Sequence, residues 1–250
     1  MLVDSHCHVL SSEYDNPDEI IKDSISSGVD KMIINGYDMK SSKEAVELSK
    51  RHKDVYVAIG IAPQDVDDYN DNTIDEFQNL IDNNKVVAIG EIGLDYYWTT
   101  ETKEKQILVF KKMLSLAKKN KLPVIVHSRN AFLDTYNILK EYNVTGIIHC
   151  FSGSLQVAKM YSDLDFLLGI GGVVTFKNAS KLLNVVKNMD LECFSLETDS
   201  PYLSPEPFRG RQNTPKNVML VAKKIAEIKG LSKEKVIDIT GKSVTRKFDL

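Results

Sequence analysis

The sequence is poor in cysteine and contains no long apolar stretch. Its three cysteines in 250 residues form no C-x-x-C pair, so we expect neither a disulfide framework nor a cysteine-based zinc site, and we expect a reducing cytoplasm. No apolar run approaches the roughly 18–20 residues that a membrane span requires. The polar first residues do not have the pattern of a secretory signal peptide.

A basic net charge is also missing. The chain holds 32 Lys and Arg against 35 Asp and Glu, a formal net charge of −3, whereas proteins that coat long nucleic acids are usually basic. The positive charge is concentrated in residues 201–250, which is compatible with a local site for one phosphate group. No G-x-G-x-x-G or P-loop motif follows a predicted strand, so a nucleotide-binding glycine loop is not indicated.

What the sequence does contain is a regular alternation of short apolar runs and amphipathic stretches. The apolar runs predict eight β-strands, at Leu2–His8, Lys31–Asn35, Tyr56–Gly60, Val86–Glu91, Pro123–His127, Gly146–His149, Phe166–Gly169 and Phe194–Asp199. The amphipathic stretches predict helices near residues 17–27, 41–53, 73–83, 101–120, 131–142, 154–162, 178–189, 216–229 and 232–247.

Eight strand–helix repeats in about 250 residues favour an α/β fold of the (β/α)8 TIM-barrel type. A doubly wound open sheet is the alternative, which eight repeats disfavour. The sequence shows no linker, composition break or internal repeat. We therefore predict a single domain that covers residues 1–250.

Ionisable side chains recur where the predicted strands end. They are His6, His8, Glu91, His127, His149 and Asp199. TIM-barrel enzymes build their active sites from the C-terminal ends of several strands, so this fold would bring the six side chains together. Desolvating so many ionisable groups would be costly without a cation, and imidazole and carboxylate groups are natural ligands of divalent metals.

Six ligands are too many for one tetrahedral ion and favour a site with two metals. The expected ligands are His6, His8 and Asp199 for the first metal, His127 and His149 for the second, and Glu91 as a bridge between them. Asp199 is also expected to act as the base that orients a metal-bridged hydroxide. Zn, Mn, Fe, Ni and Co suit these ligands, and Mg is less at home among histidines.

Two further carboxylates, Asp4 and Glu197, fall on the same side of their strands as the ligands. Both are expected to accept hydrogen bonds from ligating imidazoles, and for Glu197 a purely structural hydrogen bond is an equally good interpretation. Cys7 and Cys150 flank ligands but face the opposite way, so we expect them to be inert packing residues.

Six sequence blocks stand out along the chain: MLVDSHCH at 1–8, GEIGLDYYW at 90–98, PVIVHSR at 123–129, IHCFSGS at 148–154, ETDSPYL at 197–203 and PFRGRQNTP at 207–215. In this order they resemble the TatD family of metal-dependent deoxyribonucleases. The resemblance implies a TIM barrel of the amidohydrolase-like superfamily that hydrolyses phosphodiester bonds of DNA, often as a 3′→5′ exonuclease. It also implies the same six metal ligands that the strand ends select.

One segment departs from the family pattern. Family members commonly read Gly-x-His-Pro-His after the third strand, where this chain reads Gly60-Ile-Ala-Pro-Gln64. Neither Ala62 nor Gln64 is an expected metal ligand. The departure therefore bears on substrate contact and rate more than on hydrolysis itself.

Three arginines are expected to bind phosphate, because a planar guanidinium suits bidentate contact. Arg129 follows the fifth strand, and Arg209 and Arg211 follow the eighth, in a region that binds phosphate in many TIM barrels. For Arg211 a salt bridge at the rim is an equally good interpretation. Tyr96–Trp98 offer faces on which bases of a frayed DNA end can stack, with plain packing as the alternative.

These observations predict a divalent-metal-dependent phosphodiesterase that acts on DNA ends, with Asp199 and Glu91 as catalytic residues. DNA strand ends are the expected transient partner, with no membrane association and no obligate protein partner. One alternative is an amidohydrolase-like enzyme that cleaves an amide, ester or lactone of a small molecule. The other is a non-catalytic metal-binding protein.

Overall fold

The computed structural model of the chain describes residues 1–82 and 85–250. The last position of the helix predicted near residues 73–83 lies outside these residues. Within them the strands are β1 (Val3–Cys7), β2 (Lys31–Asn35), β3 (Val55–Ile59), β4 (Val86–Asp95), β5 (Val124–Arg129), β6 (Gly146–Ile148), β7 (Phe166–Ile170) and β8 (Phe194–Leu196). The α-helices are α1 (Pro17–Ser26), α2 (Met39–Arg51), α3 (Thr73–Ile81), α4 (Lys103–Asn120), α5 (Phe132–Tyr142), α6 (Leu155–Asp163), α7 (Ser180–Asn188), α8 (Val218–Lys229) and α9 (Lys233–Phe248).

The strands form one eight-stranded sheet in the order β1-β2-β3-β4-β5-β6-β7-β8. Strand–helix alternation with sequential parallel strands is the (β/α)8 TIM-barrel architecture, which confirms the predicted fold class. None of the helices in the described residues is long and apolar enough to cross a membrane.

The chain divides into two compact units, one of residues 1–34 with 149–250 and the other of residues 35–148. We refer to them as unit 1 and unit 2. The assignment of residues 1–250 to a single domain stays a prediction.

In unit 1, β1 is joined to the segment that follows β8. Cys7 and Ser200 form a parallel bridge, the amide of His8 donates to the carbonyl of Ser200 at 2.7 Å, and the amide of Asp199 donates to the carbonyl of His6 at 2.9 Å. The first and last strands therefore hold each other at the end where both carry polar side chains.

In unit 2, β4 and β5 run parallel over most of their length, from the pairing of Ile89 with Val124 to that of Asp95 with Arg129. Their apolar side chains are buried on both faces, as is usual in parallel sheets that helices cover. α2 is fixed by a capping box, in which Asp38 accepts from the amide of Ser41.

Several strand ends differ from the predicted ones, and two of them matter for the site. β4 was predicted to end at Glu91 but continues to Asp95, because Gly93 adopts a positive φ of 143° and pairs closely with His127. β8 was predicted to reach Asp199 but ends at Leu196, and Asp199 has a left-handed φ of 54°. β5 also continues two residues past its predicted end, to Arg129.

Candidate metal centre

Three histidines and one carboxylate come together in unit 1. We call His6, His8, His149 and Asp199 the first cluster. All three histidines are buried, while the Asp199 side chain keeps 13% of its surface exposed. The His149 ring stacks on the His6 ring, with 4.0 Å between centroids and 14° between planes.

The donor atoms of the first cluster converge. Nε2 of His6 lies 3.1 Å from Nε2 of His8, and Oδ1 of Asp199 lies 3.5 Å from the former and 3.7 Å from the latter. Nitrogen and oxygen ligands about 2.0–2.2 Å from a zinc-like ion stand about 3–3.5 Å from one another. Neutral imidazoles and a carboxylate are the donors that divalent metals prefer, so both the spacing and the chemistry of these residues fit a divalent cation.

Long-range backbone bonding places Asp199 in the first cluster. Its left-handed conformation, which aspartate tolerates better than most residues, turns the chain directly after β8. Its amide donates to the carbonyl of His6 at 2.9 Å, and its own carbonyl accepts from the amide of Tyr202 at 2.8 Å. The carboxylate is therefore tied to the strand that carries His6.

Asp4 also connects β1 to the segment that follows β8. Its Oδ1 accepts from the amides of Thr198 at 2.9 Å and His6 at 3.3 Å, and its Oδ2 accepts from the Thr198 hydroxyl at 2.6 Å. Burial raises the pKa of Asp4 to about 7, although the hydrogen bonds from Thr198 act in the opposite direction. We predicted an imidazole as the partner of Asp4, but its partners are two backbone amides and a hydroxyl. Asp4 therefore fixes the backbone around the first cluster.

Glu197 supports the segment that carries His149. Its Oε1 accepts a hydrogen bond of 2.5 Å from the amide of Cys150, a residue with a left-handed φ of 46°. Glu197 is fully buried, and a Cβ at Gly169 would collide with its carboxylate. The alternative structural role foreseen for Glu197 agrees with this contact.

In unit 2, the His127 imidazole lies between two carboxylates. Its Nδ1 is 3.0 Å from Oε1 of Glu91, and its Nε2 is 2.9 Å from Oδ2 of Asp95. We call Glu91, Asp95 and His127 the second cluster. Since Asp95 holds Nε2, the His127 nitrogen that faces Glu91 is Nδ1.

The two carboxylates of the second cluster favour the charged form of His127. Burial disfavours the charged imidazole of His127, but hydrogen bonds to Asp95 and Glu91 outweigh it and raise its pKa to about 9. Burial acts to raise the pKa of Asp95, yet the hydrogen bonds from His127 and from the amide of Tyr97 leave it lowered. A cation at the Glu91 side would replace the positive charge that His127 carries in this arrangement.

Asp95 is the site residue that sequence reasoning missed. Glu91, Gly93 and Asp95 alternate along β4 and so share one side of the strand, but ending the predicted strand at Glu91 hid this period. Gln64 donates from Nε2 to Oδ2 of Asp95 at 3.0 Å. Gln64, one of the two residues that depart from the family pattern, therefore contacts the carboxylate that holds His127. The other, Ala62, is buried.

The three predicted phosphate-binding arginines are exposed. The Arg129 guanidinium carbon lies 3.7 Å from the ring centroid of Tyr97, and that of Arg209 lies 4.2 Å from the ring centroid of Phe176. Arg211 follows in the same loop as Arg209. Their role with phosphate stays a prediction.

Comparison with known proteins gives one consistent family. The family model described as "TatD related DNase" matches residues 3–249. The uncharacterised metal-dependent hydrolase YabD of Bacillus subtilis is 40% identical over 252 residues, which cover 99% of each chain.

Solved structures agree with this match. The crystal structure of YjjV, a TatD homologue from Escherichia coli K12, has a TM-score of 0.92 and 28% identity and covers 100% of this chain and 98% of its own. A TatD-family hydrolase from Entamoeba histolytica has a TM-score of 0.89 at 22% identity, with 99% and 97% coverage, and supports the fold alone.

Proposed function

This chain belongs to the TatD-related DNase family, and from that premise we propose that it is a metal-dependent hydrolase that cleaves phosphodiester bonds at DNA strand ends. The specific reaction that we assign is the removal of nucleotides from the 3′ end, as a 3′→5′ exodeoxyribonuclease. The observation that carries the proposal is the convergence of His6 Nε2, His8 Nε2 and Asp199 Oδ1 within 3.1–3.7 Å.

Two divalent ions are assigned to six side chains. His6, His8 and Asp199 would hold the first ion, His127 and His149 would hold the second, and Glu91 would contribute to both. All six lie within or shortly after strands of one sheet, and TIM-barrel enzymes build their active sites at the C-terminal ends of their strands. Divalent ions in such a site lower the pKa of water and neutralise charge on phosphate oxygens. Zn, Mn, Mg, Ni, Co and Fe remain the candidate ions.

Asp199 is the residue that takes the proton from the attacking water, at a carboxylate oxygen. It is the most exposed member of the first cluster, with 13% of its side chain accessible against 0% and 6% for His6 and His8. A general base must reach the proton that it removes, and the buried histidines have less access to solvent.

Arg129, Arg209 and Arg211 hold the phosphates that flank the scissile bond. Each is exposed, and guanidinium groups bind phosphate in a planar, bidentate manner. With a net charge of −3, the chain would attract DNA through such local contacts, which suits an enzyme that acts transiently on strand ends.

A reducing cytoplasm is the compartment that we assign. All three cysteines carry thiols, with Cys7 buried and the other two half-buried. The reaction requires DNA as its transient substrate and no obligate protein partner.

The test is hydrolysis of single-stranded oligonucleotides labelled at the 3′ or the 5′ end. The chain is stripped with EDTA and supplied with Mg, Mn, Co or Zn, beside Asp199→Asn and the exposed control Asp163→Asn. We expect metal-dependent release of mononucleotides from the 3′ end, which is lost only in Asp199→Asn while its circular dichroism is unchanged.

Two results would overturn the proposal. Full activity in Asp199→Asn would remove the role of that carboxylate. An absence of release with every metal, in protein that still binds metal, would exclude the phosphodiesterase and point to hydrolysis of a small amide, ester or lactone.

A further inference from the structure

Two consecutive aromatic side chains of unit 2 project into solvent just beyond β4. Tyr97 is 53% exposed and Trp98 is 68% exposed, although large aromatic side chains are usually largely buried. Their ring centroids are 4.9 Å apart and their planes are nearly perpendicular, at 84°. The Arg129 guanidinium carbon lies 3.7 Å from the Tyr97 centroid and 5.3 Å from the Trp98 centroid. We call these three residues the aromatic platform.

The aromatic platform is anchored to the strands that carry the second cluster. The amide of Tyr97 donates to Oδ1 of Asp95 at 2.8 Å, and Asp95 pairs with Arg129 in the β4–β5 register. The amide of Tyr96 donates to the carbonyl of Arg129 at 2.9 Å. The exposed rings therefore lie on a defined backbone, which limits the entropy lost when a ligand binds.

Neighbouring Tyr96 has a different role, because its hydroxyl donates to Asp134 at 2.9 Å and Lys103 lies over its ring. Tyr96 is half-buried and packs within unit 2. The predicted stacking group of Tyr96, Tyr97 and Trp98 is thereby reduced to its last two members, joined by Arg129.

Arg129 brings a positive charge and unused donors to the aromatic platform. Its side chain makes no hydrogen bond or ion pair with the residues that the structure describes, so its N–H groups are available to a ligand. It lies two positions after His127 along β5, and both side chains therefore lie on the same side of that strand.

We propose that the aromatic platform binds single-stranded DNA, with a base stacked on Trp98 and a neighbouring phosphate held by Arg129. This inference rests on the proposed function and adds to it the recognition of unpaired bases next to the reacting end. Aromatic faces bind bases with little sequence preference, because every base offers a π-face. The enzyme would therefore take frayed or single-stranded ends of any sequence.

Trp98 is the only tryptophan in the chain, so its fluorescence reports on the aromatic platform directly. The probe is hexathymidylate with phosphorothioate linkages, which slow hydrolysis, added to the full-length protein. The comparison is an abasic oligomer with the same backbone charge. We expect saturable quenching by hexathymidylate and none by the abasic oligomer. No change with hexathymidylate, or equal change with both, would overturn the proposal.

Binding of fluorescein-labelled hexathymidylate, followed by anisotropy, tests the contribution of Trp98 without its fluorescence. We expect Trp98→Ala to raise the Kd about tenfold or more, and Trp98→Phe to keep most of the affinity. Leu108→Ala is the matched control, since Leu108 is an apolar side chain of unit 2 with 50% exposure. An unchanged Kd in Trp98→Ala would overturn the proposal.

The two proposals fail separately. If the protein degrades DNA but Trp98→Ala binds hexathymidylate as tightly as the wild type, the aromatic platform is wrong and the proposed function stands. If hexathymidylate quenches Trp98 and the abasic oligomer does not, but no metal supports hydrolysis, base binding stands and the proposed function is wrong.

Discussion

Asp95 controls the orientation of His127, because its carboxylate holds Nε2 of the imidazole at 2.9 Å while also accepting from Tyr97 and Gln64. The single oxygen of an asparagine cannot replace both carboxylate oxygens. Partners that orient a ligating histidine usually contribute about 10–100-fold to metal affinity. We therefore expect Asp95→Asn to weaken binding of one of the two metal ions by about that factor, as measured by isothermal titration of stripped protein.

The control for this measurement is Asp134→Asn. Asp134 is another carboxylate of unit 2, and its partners are Tyr96 and Lys103 on the surface. Metal affinity equal to that of the wild type in Asp95→Asn would show that His127 does not depend on this hydrogen bond.

Asp65 gives the metal-free protein a distinct pH dependence. Burial, together with the negative charges of Asp38, Asp68 and Glu91, raises the pKa of Asp65 from 3.8 to about 6. The folded chain thus holds this proton more tightly than the unfolded chain, and folding stability falls as pH rises from about 4 to about 6. We expect Asp65→Asn to raise Tm at pH 7 and to change it little at pH 4.

Thermal unfolding between pH 4 and pH 8 checks this prediction, with the exposed Asp71→Asn as the control. A Tm difference between Asp65→Asn and the wild type that is the same at pH 4 and pH 7 would contradict a proton-linked effect.

One buried hydroxyl adds to the backbone hydrogen bonds that join β1 to the segment after β8. Thr198 donates to Oδ2 of Asp4 at 2.6 Å, and its Oγ1 also accepts from the amide of Ser200 at 3.2 Å. Thr198→Val keeps the shape of the side chain but leaves a buried carboxylate oxygen without this donor. We expect it to lower the free energy of unfolding by about 1–3 kcal/mol.

Urea unfolding of the metal-free protein measures this loss. Thr198→Ser keeps the hydroxyl and should retain most of the stability. If Thr198→Val and Thr198→Ser unfold at the same urea concentration, the hydroxyl does not stabilise the junction.

The order of the strands and helices could be predicted because a parallel sheet covered by helices requires short apolar runs separated by amphipathic stretches. The ends of β4 and β8 could not be predicted from the sequence. In the sequence, Gly93 indicates an interruption of β4. Only its pairing with β5 shows that the strand continues. The left-handed turn at Asp199 depends on a hydrogen bond to His6, which lies far away in the sequence.

The same reasoning explains which parts of the candidate site could be predicted from the sequence. His149 directly follows an apolar run, and His6 and His8 close the first predicted strand, so their positions near strand ends could be predicted. Asp199 was expected as the last residue of β8 and lies shortly beyond it. The bond between Asp95 and His127 joins residues 32 positions apart, and no local pattern encodes it. Asp4 could be recognised as buried, but its bond to Thr198 depends on tertiary structure.

The six predicted ligands are distributed along the whole chain, and each unit carries some of them. Unit 1 contributes His6, His8, His149 and Asp199, and unit 2 contributes Glu91 and His127. Loss of a ligand from either unit should therefore reduce metal binding by the intact protein. The fifth histidine, His52, ends α2 outside both clusters and provides the matched control.

Metal content of the intact chain is the decisive measurement. The protein is stripped with a chelator, dialysed against Zn or Mn, and analysed by mass spectrometry of the bound metal. We expect two ions per chain in the wild type and in His52→Ala, and about one in His6→Ala and in His127→Ala. One ion or fewer in the wild type, or an unchanged content in both ligand variants, would contradict the two-metal centre.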